Sequence, residues 1–205
     1  MLQKVEKHII QNLSFLKEKK LLIACSGGVD SVVLSHMLKK LEYDIALAHC
    51  NFSLRGNESD GDMDFVSDLA DKLSIAVFIQ TFDTKKYAKE HHLSTQMAAR
   101  ELRYNWFEEI RNGFNFDFIL TAHHADDDLE TFLINLSRGT GLRGLTGIPS
   151  INNRIVRPLL NFGRNEIVSY AKDNNLYWRE DSSNAKTDYL RNKLRLEVIP
   201  KYKES

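Results

Sequence analysis

Apolar and polar positions along the 205-residue chain fall into two textures, short nearly aliphatic runs and longer stretches with apolar residues three and four apart. The short runs are LLIAC from Leu21, DIALAHC from Asp44, IAVFIQTF from Ile75 and FDFILTAH from Phe116. Each precedes a helical pattern: residues 30–41, MDFVSDLADKL from Met63, TQMAARELRYNWFEEIR from Thr95 and DDDLETFLINLSR from Asp126. Strands that read as unbroken aliphatic runs are expected where helices cover both faces of a sheet. The alternation therefore predicts an α/β fold, a doubly wound parallel five-stranded sheet of Rossmann-like type. The fifth strand is expected near Arg154–Leu159 or Leu176–Arg179, and Ala24, Leu47, Ala48, Ile119 and Leu120 in the core.

At the start, Val5, Ile9, Ile10, Leu13 and Leu16 lie at helical spacing, so residues 1–20 read as an amphipathic helix packed on the domain, not a signal sequence. Residues 21–185 are expected to form the main domain. Within it, RGTGLRGLTGIPS from Arg138 is a glycine-spaced loop expected to wrap over a site, followed by a helix over Arg164–Asn174. Residues 186–205 read as a helical extension, a basic helix from about Tyr189, leading to a carboxyl-terminal region that the chain lacks.

The 42% hydrophobic and 27% charged content is that of a globular protein, and no apolar run is long enough to cross a bilayer. Cys25 and Cys50 form no C-x-x-C pair, which argues against a zinc site or disulfide framework and for a cytoplasmic location. Net charge is zero but segregated: only acids occur from Glu58 to Asp71, and only arginines (138, 143, 154, 157 and 164) among the charged residues from Arg138 to Arg164. With the basic tail, these arginines suit a polyanion such as RNA.

The chemistry centres on SGGVDS, Ser26 to Ser31, between a buried strand and a helix. Free backbone N–H groups and the positive end of the helix dipole favour an anion there, and paired glycines permit close approach. The loop has neither the Walker lysine nor the G-x-G-x-x-G spacing. Asp30 beside phosphates is tolerable mainly with a divalent cation between them. The plainer alternative is a strand-to-helix turn capped by Ser26 or Asp30.

This loop resembles that of the PP-loop, N-type ATP pyrophosphatases, in which SGGxDS grips the β,γ-pyrophosphate of ATP and leaves the α-phosphate open to attack. Five further stretches look like the tRNA(Ile)-lysidine synthase family, in its order and over almost the whole length: AHCNFSLRGNESDGD from Ala48, MAARELRYNWF from Met97, TAHHADDDLET from Thr121, RGTGLRGLTGI from Arg138 and RPLL from Arg157. EDSSN and YLRNKLR follow. The resemblance implies an ATP- and Mg²⁺-dependent ligase that adenylylates the C2 carbonyl of the wobble cytidine in a CAU-anticodon tRNA(Ile) and attaches free L-lysine through its ε-amine. The chain departs from the family pattern at Phe52, where a histidine is usual, and at Asp128, where a glutamine is usual.

By the same resemblance, Ser26, Gly27, Gly28, Val29, Asp30, Ser31, Arg100 and His123 would hold ATP. Asp30 and Asp127 would carry the metal and, with Arg103, the catalysis; which of Asp126, Asp127 and Asp128 faces it stays open. Arg55, Glu130, Arg138, Arg143, Arg191 and Arg195 would meet the substrates, with Glu130 facing the base or lysine. Plainer roles stand beside these: a helix cap for Asp126, and exposed salt bridges for Arg100 and Arg103. A tRNA cytidine thiolase and a non-catalytic nucleotide- or RNA-binding module are the rival functions. Dimerisation is left open, and no membrane partner is expected.

Overall fold

The computed structural model describes residues 1–141, 145–180 and 193–199, without the side chains of residues 195 and 196. Strands β1 (Lys20–Ala24), β2 (Asp44–Asn51), β3 (Val77–Thr81) and β4 (Phe118–Leu120) form on the four aliphatic runs. Two short strands follow, β5 (Ile151–Asn152) and β6 (Ile155–Val156). The sheet order is β3-β2-β1-β4-β6-β5, parallel except for the β5–β6 hairpin.

The doubly wound sheet is therefore the one the sequence predicts, with six strands instead of five. The expected fifth strand forms at Ile155–Val156, inside the Arg154–Leu159 window. The sixth is its hairpin partner, joined through Asn153, whose φ of 53° is a conformation asparagine tolerates well. Leu176–Arg179 is not a strand.

Seven α-helices lie among the described residues: α1 (Leu2–Asn12), α2 (Val29–Lys40), α3 (Asn57–Leu73), α4 (Thr84–Glu90), α5 (Thr95–Gly113), α6 (Ala125–Ser137) and α7 (Arg164–Asp173). A π-helical turn, Leu194–Val198, lies in the carboxyl-terminal part. Helix α4 has no counterpart in the apolar pattern, and α3 begins six residues before the predicted Met63.

Strand alternation sorts the core into two layers. Leu21 and Ile23 of β1 pack with Val5 and Ile9 of α1, Val33 and Met37 of α2, Val66 of α3 and Ile167 of α7. Leu22, between them in sequence, points the other way with Ala46, Ala48 and Ile119 toward Phe107 and Ile110 of α5. Leu21, Leu22, Ile23, Leu47 and Ile119 have no exposed surface, and each such side chain contributes about 1.5–3 kcal/mol of burial free energy.

The chain winds outward from β1 through β2 to β3, then returns to β4 on β1's other side. A reversal between neighbouring parallel strands opens a crevice beyond their carboxyl ends, where open α/β sheets bind ligands. The segments entering that crevice are Cys25–Gly28 after β1 and Thr121–His124 after β4.

Candidate active site

The loop after β1 is held by its own serines. Ser31 Oγ accepts the Ser26 N–H at 3.3 Å and donates to the Gly28 carbonyl at 2.9 Å, while Ser26 Oγ accepts the Gly28 N–H at 3.3 Å. Gly27 has φ +85°, a backbone conformation that side chains rarely adopt, and a Cβ there would lie 3.3 Å from Phe65. Gly28 is the N-cap of α2, and no side chain caps it. The plain capped turn through Ser26 or Asp30 is thus not what forms. The first turn of α2 instead presents backbone N–H groups, with the dipole's positive end, to the crevice.

Across the crevice, three consecutive acids of α6 point to three partners. Asp126 Oδ1 accepts the N–H of Arg164 at the start of α7, 3.4 Å away. Asp128 Oδ1 accepts the N–H of Ile148 in the glycine loop at 2.5 Å. Asp127 turns inward: its Oδ2 accepts the His124 N–H at 3.1 Å, and its own N–H donates to His124 Nδ1 at 3.3 Å, closing a reciprocal capping box.

His124 is almost fully buried, with 1% exposure. Since Nδ1 accepts a hydrogen bond, the ring proton of the neutral imidazole belongs on Nε2. That atom lies 3.4 Å from Asp127 Oδ2 and 3.7 Å from Asp30 Oδ1. The two carboxylates expected to carry metal thus converge on one N–H, which lowers their mutual repulsion. Two hard oxygen donors beside a phosphate cradle suit Mg²⁺, which is commonly held by one or two carboxylates plus substrate phosphates. Among the described residues, no group of three or more His, Cys, Asp or Glu side chains could hold a metal by itself. The donor set therefore fits a cation that arrives with a nucleotide better than a resident cage.

The other expected residues sit as follows. His123 Nδ1 lies 2.9 Å from Thr121 Oγ1 at the end of β4. Arg100 is stacked over Tyr104, its Cζ 4.9 Å from the ring centre, and Arg103 over Phe52 at 5.2 Å. The exposed salt bridges considered for these arginines are replaced by cation–π contacts, worth roughly 0.5–1 kcal/mol each near the surface. Arg55 donates through Nη2 to Asp62 Oδ2 at 2.7 Å. Glu130, expected to face the base or lysine, has no exposed surface. Arg138 is exposed at the carboxyl end of α6. Arg143, Arg191 and the Arg195 side chain lie outside the described residues.

Sequence reasoning assigned no role to His124, although its spacing to Asp127 is that of a capping box. The sequence groups Arg157 with the arginines that suit a polyanion, whereas the structure buries it at 5% exposure, with Nη1 donating to the Pro149 carbonyl at 2.7 Å. Burial depresses the pKa of this guanidinium, with a further push from the charge of Arg100 against a hydrogen bond with Tyr104. The residue ties the glycine loop to the end of β6.

The chain is similar to known proteins over nearly its whole length. A curated tRNA(Ile)-lysidine synthase of Bacteroides thetaiotaomicron is 47% identical over 202 residues, covering 98% of this chain and 47% of that protein. That of Porphyromonas gingivalis is 47% identical over 188 residues, covering 91% and 41%. The chain spans about half the length of these relatives or less. Among solved structures, the U34-tRNA thiolase NcsA from Methanococcus maripaludis, with its [4Fe-4S] cluster, superposes with a TM-score of 0.76 at 17% identity, over 94% of this chain and 70% of that one. The NMN synthetase of Francisella tularensis gives 0.61 at 14% identity, over 93% and 75%. At such identities these likenesses speak for the fold alone. The family model described as the PP-loop domain matches residues 1–202. With its glycine-turned loop, uncapped helix and facing carboxylates, the chain belongs to the PP-loop family.

Proposed function

We propose that this chain is the catalytic part of an ATP-dependent ligase that converts the wobble cytidine of a CAU-anticodon tRNA(Ile) to lysidine. The observation that carries the reading is the convergence of Asp30 and Asp127 on His124 Nε2 beside the SGGVDS loop. Support for the tRNA substrate comes from relatives of that name, which match nearly the whole chain.

In this reading the loop from Ser26 to Ser31 and the first-turn amides of α2 hold the β,γ-pyrophosphate. The C2 carbonyl oxygen of cytidine then bonds to the α-phosphorus as the bond to the bridging oxygen of pyrophosphate breaks. In the second step the lysine ε-amine attacks C2, the amine's protons are lost, and AMP leaves with the former carbonyl oxygen. Adenylylation matters because that oxygen is a poor leaving group until it carries AMP. A magnesium ion held by Asp30 and Asp127 would neutralise the departing pyrophosphate. Arg103, extended over Phe52, is the side chain proposed to add positive charge there. Glu130, buried one turn along α6 from Asp127, is proposed to face the target base or lysine.

Arg138 and the arginines of the glycine loop and tail are the proposed contacts to tRNA backbone. A cytoplasmic location accords with the tRNA substrate and with two free cysteines. No described helix is long and apolar enough to cross a membrane.

The test incubates the protein, in its full reading frame, with ATP, Mg²⁺, lysine and CAU-anticodon tRNA(Ile), followed by mass spectrometry of the anticodon nucleoside. Lysidine is expected, with AMP and pyrophosphate released only when tRNA and lysine are both present. Unchanged cytidine alongside intact ATP binding would refute the substrate assignment.

A further inference from the structure

The segment after α7 crosses back to the phosphate loop. Its Arg179 N–H donates to the Gly27 carbonyl at 2.9 Å, and its Cγ would lie 3.7 Å from a Cβ on Gly27. The guanidinium is anchored by Asp62 of α3: Arg179 Nε reaches Asp62 Oδ1 at 2.9 Å, and Arg55 Nη2 reaches Asp62 Oδ2 at 2.7 Å. The Asp62 side chain is 11% exposed, so both bonds are charge-assisted and partly shielded from water. One carboxylate therefore joins the loop after β2, helix α3 and the 176–180 segment at a single point.

The consequence lies in the peptide plane. In a trans peptide the C=O and the following N–H point in opposite directions. Holding the Gly27 oxygen outward, toward Arg179, turns the Gly28 N–H inward, to the side occupied by the Ser26 hydroxyl. Gly27 at φ +85° has no side chain to fix that plane, which is held instead at both ends, by Ser26 Oγ on the Gly28 N–H and by Arg179 on the Gly27 oxygen.

We infer that Arg179, locked by Asp62, is a positioning residue that presets the SGGVDS loop for pyrophosphate by fixing the Gly27–Gly28 peptide. It acts on the phosphate end of the nucleotide through the backbone and leaves the nucleoside end alone. The inference rests on the nucleotide-binding reading above.

Calorimetric titration of the chain with Mg-ATP and, separately, with AMP tests it. Asp62→Asn and Arg179→Ala are each expected to weaken Mg-ATP about tenfold with AMP affinity close to wild type, Asp62→Asn also lowering the melting temperature by a few degrees because it unpairs two guanidinium groups. Arg179→Pro, which also removes the N–H, is expected to weaken it further. Because the two side chains act through each other, the double variant D62N/R179A should match the single ones instead of summing them. Variants that bind Mg-ATP like wild type, or that lose ATP and AMP together as their melting temperature falls, would overturn the latch alone. A wild-type chain that fails to bind Mg-ATP would overturn the nucleotide reading and the latch with it.

Discussion

His124 sets its Nε2 3.7 Å from Asp30 Oδ1, so that the amino ends of α6 and α2 meet through an imidazole and a carboxylate. The ring also caps α6, which makes one side chain answerable to both stability and charge arrangement. His124→Ala is expected to cost about 1 kcal/mol through the lost cap, lowering the melting temperature by a few degrees. His124→Asn, which can still cap, should recover the stability and not the activity. Thermal melts beside an ATP–pyrophosphate exchange assay separate the two effects.

Asp30→Asn and Asp127→Asn keep the volume of each side chain and remove its charge. Each is expected to lower adenylylation on the order of 100-fold or more, the usual scale for losing one electrostatic contact to a reacting group. Circular dichroism should be unchanged for Asp30→Asn. Full turnover in either variant would remove the role assigned to that carboxylate.

Gly147 has φ +69°, and a Cβ on it would run into the carboxylate of Asp128. Gly147→Ala therefore combines backbone strain with displacement of the acid that accepts the Ile148 N–H. A loss of about 1–3 kcal/mol in chemical denaturation is expected. The neighbouring Gly141 meets nothing within 4 Å, so its alanine variant should be much closer to neutral.

The stability of this fold should depend on pH through histidines whose full or partial burial disfavours the charged form. Burial lowers the pKa of His49 from its ordinary 6.5, with the Arg55 cation adding to it and the Cys25 carbonyl and Asp62 opposing. Its Nδ1 donates to that carbonyl at 2.9 Å. Burial also lowers His36, aided by Lys40, and His8. A depressed folded pKa means that the unfolded chain takes up protons first. The stabilisation is thus full above pH 6.5 and is lost as pH falls through the lower folded values. Melting temperature should be level near pH 7–8 and decline below about 6.5, and His49→Gln should shallow the decline.

Both thiols should be inert in the native protein. Burial pushes the Cys50 thiol up to about 12 despite the nearby Arg103 cation, leaving roughly one thiolate in ten thousand at pH 8. Burial raises Cys25 as well, against hydrogen bonds from the Gly27 backbone, Ser31 and Ser35. Iodoacetamide at pH 8 should label neither cysteine until the chain is unfolded. Rapid native labelling would revive a thiol-dependent activity.

What could be read from the chain follows from how local each signal is. Strands β1 to β4 are continuous aliphatic runs, legible because both faces are buried. Strands β5 and β6 are two residues each, too short for periodicity to register. Helix α4 buries only Thr84 and Ala88, so its start signal was the Asp83 cap and not an apolar stripe. At the site, Asp30 was named from the chemistry of its loop and Asp127 by resemblance, and the structure brings both to the His124 ring. His124 was passed over for its neighbour because the choice between adjacent histidines depends on which one turns inward. Asp62 and Arg179 are 117 positions apart, and nothing local to either announces the other.

The three acids of α6 also bear on mechanics. Asp126 ties that helix to the start of α7, Asp128 ties it to the glycine loop, and Asp127 stands between them facing the crevice. A single helical turn is thus a three-way joint. The Ile148 N–H held by Asp128 is thereby joined one residue away from the carboxylate that shares His124 with Asp30.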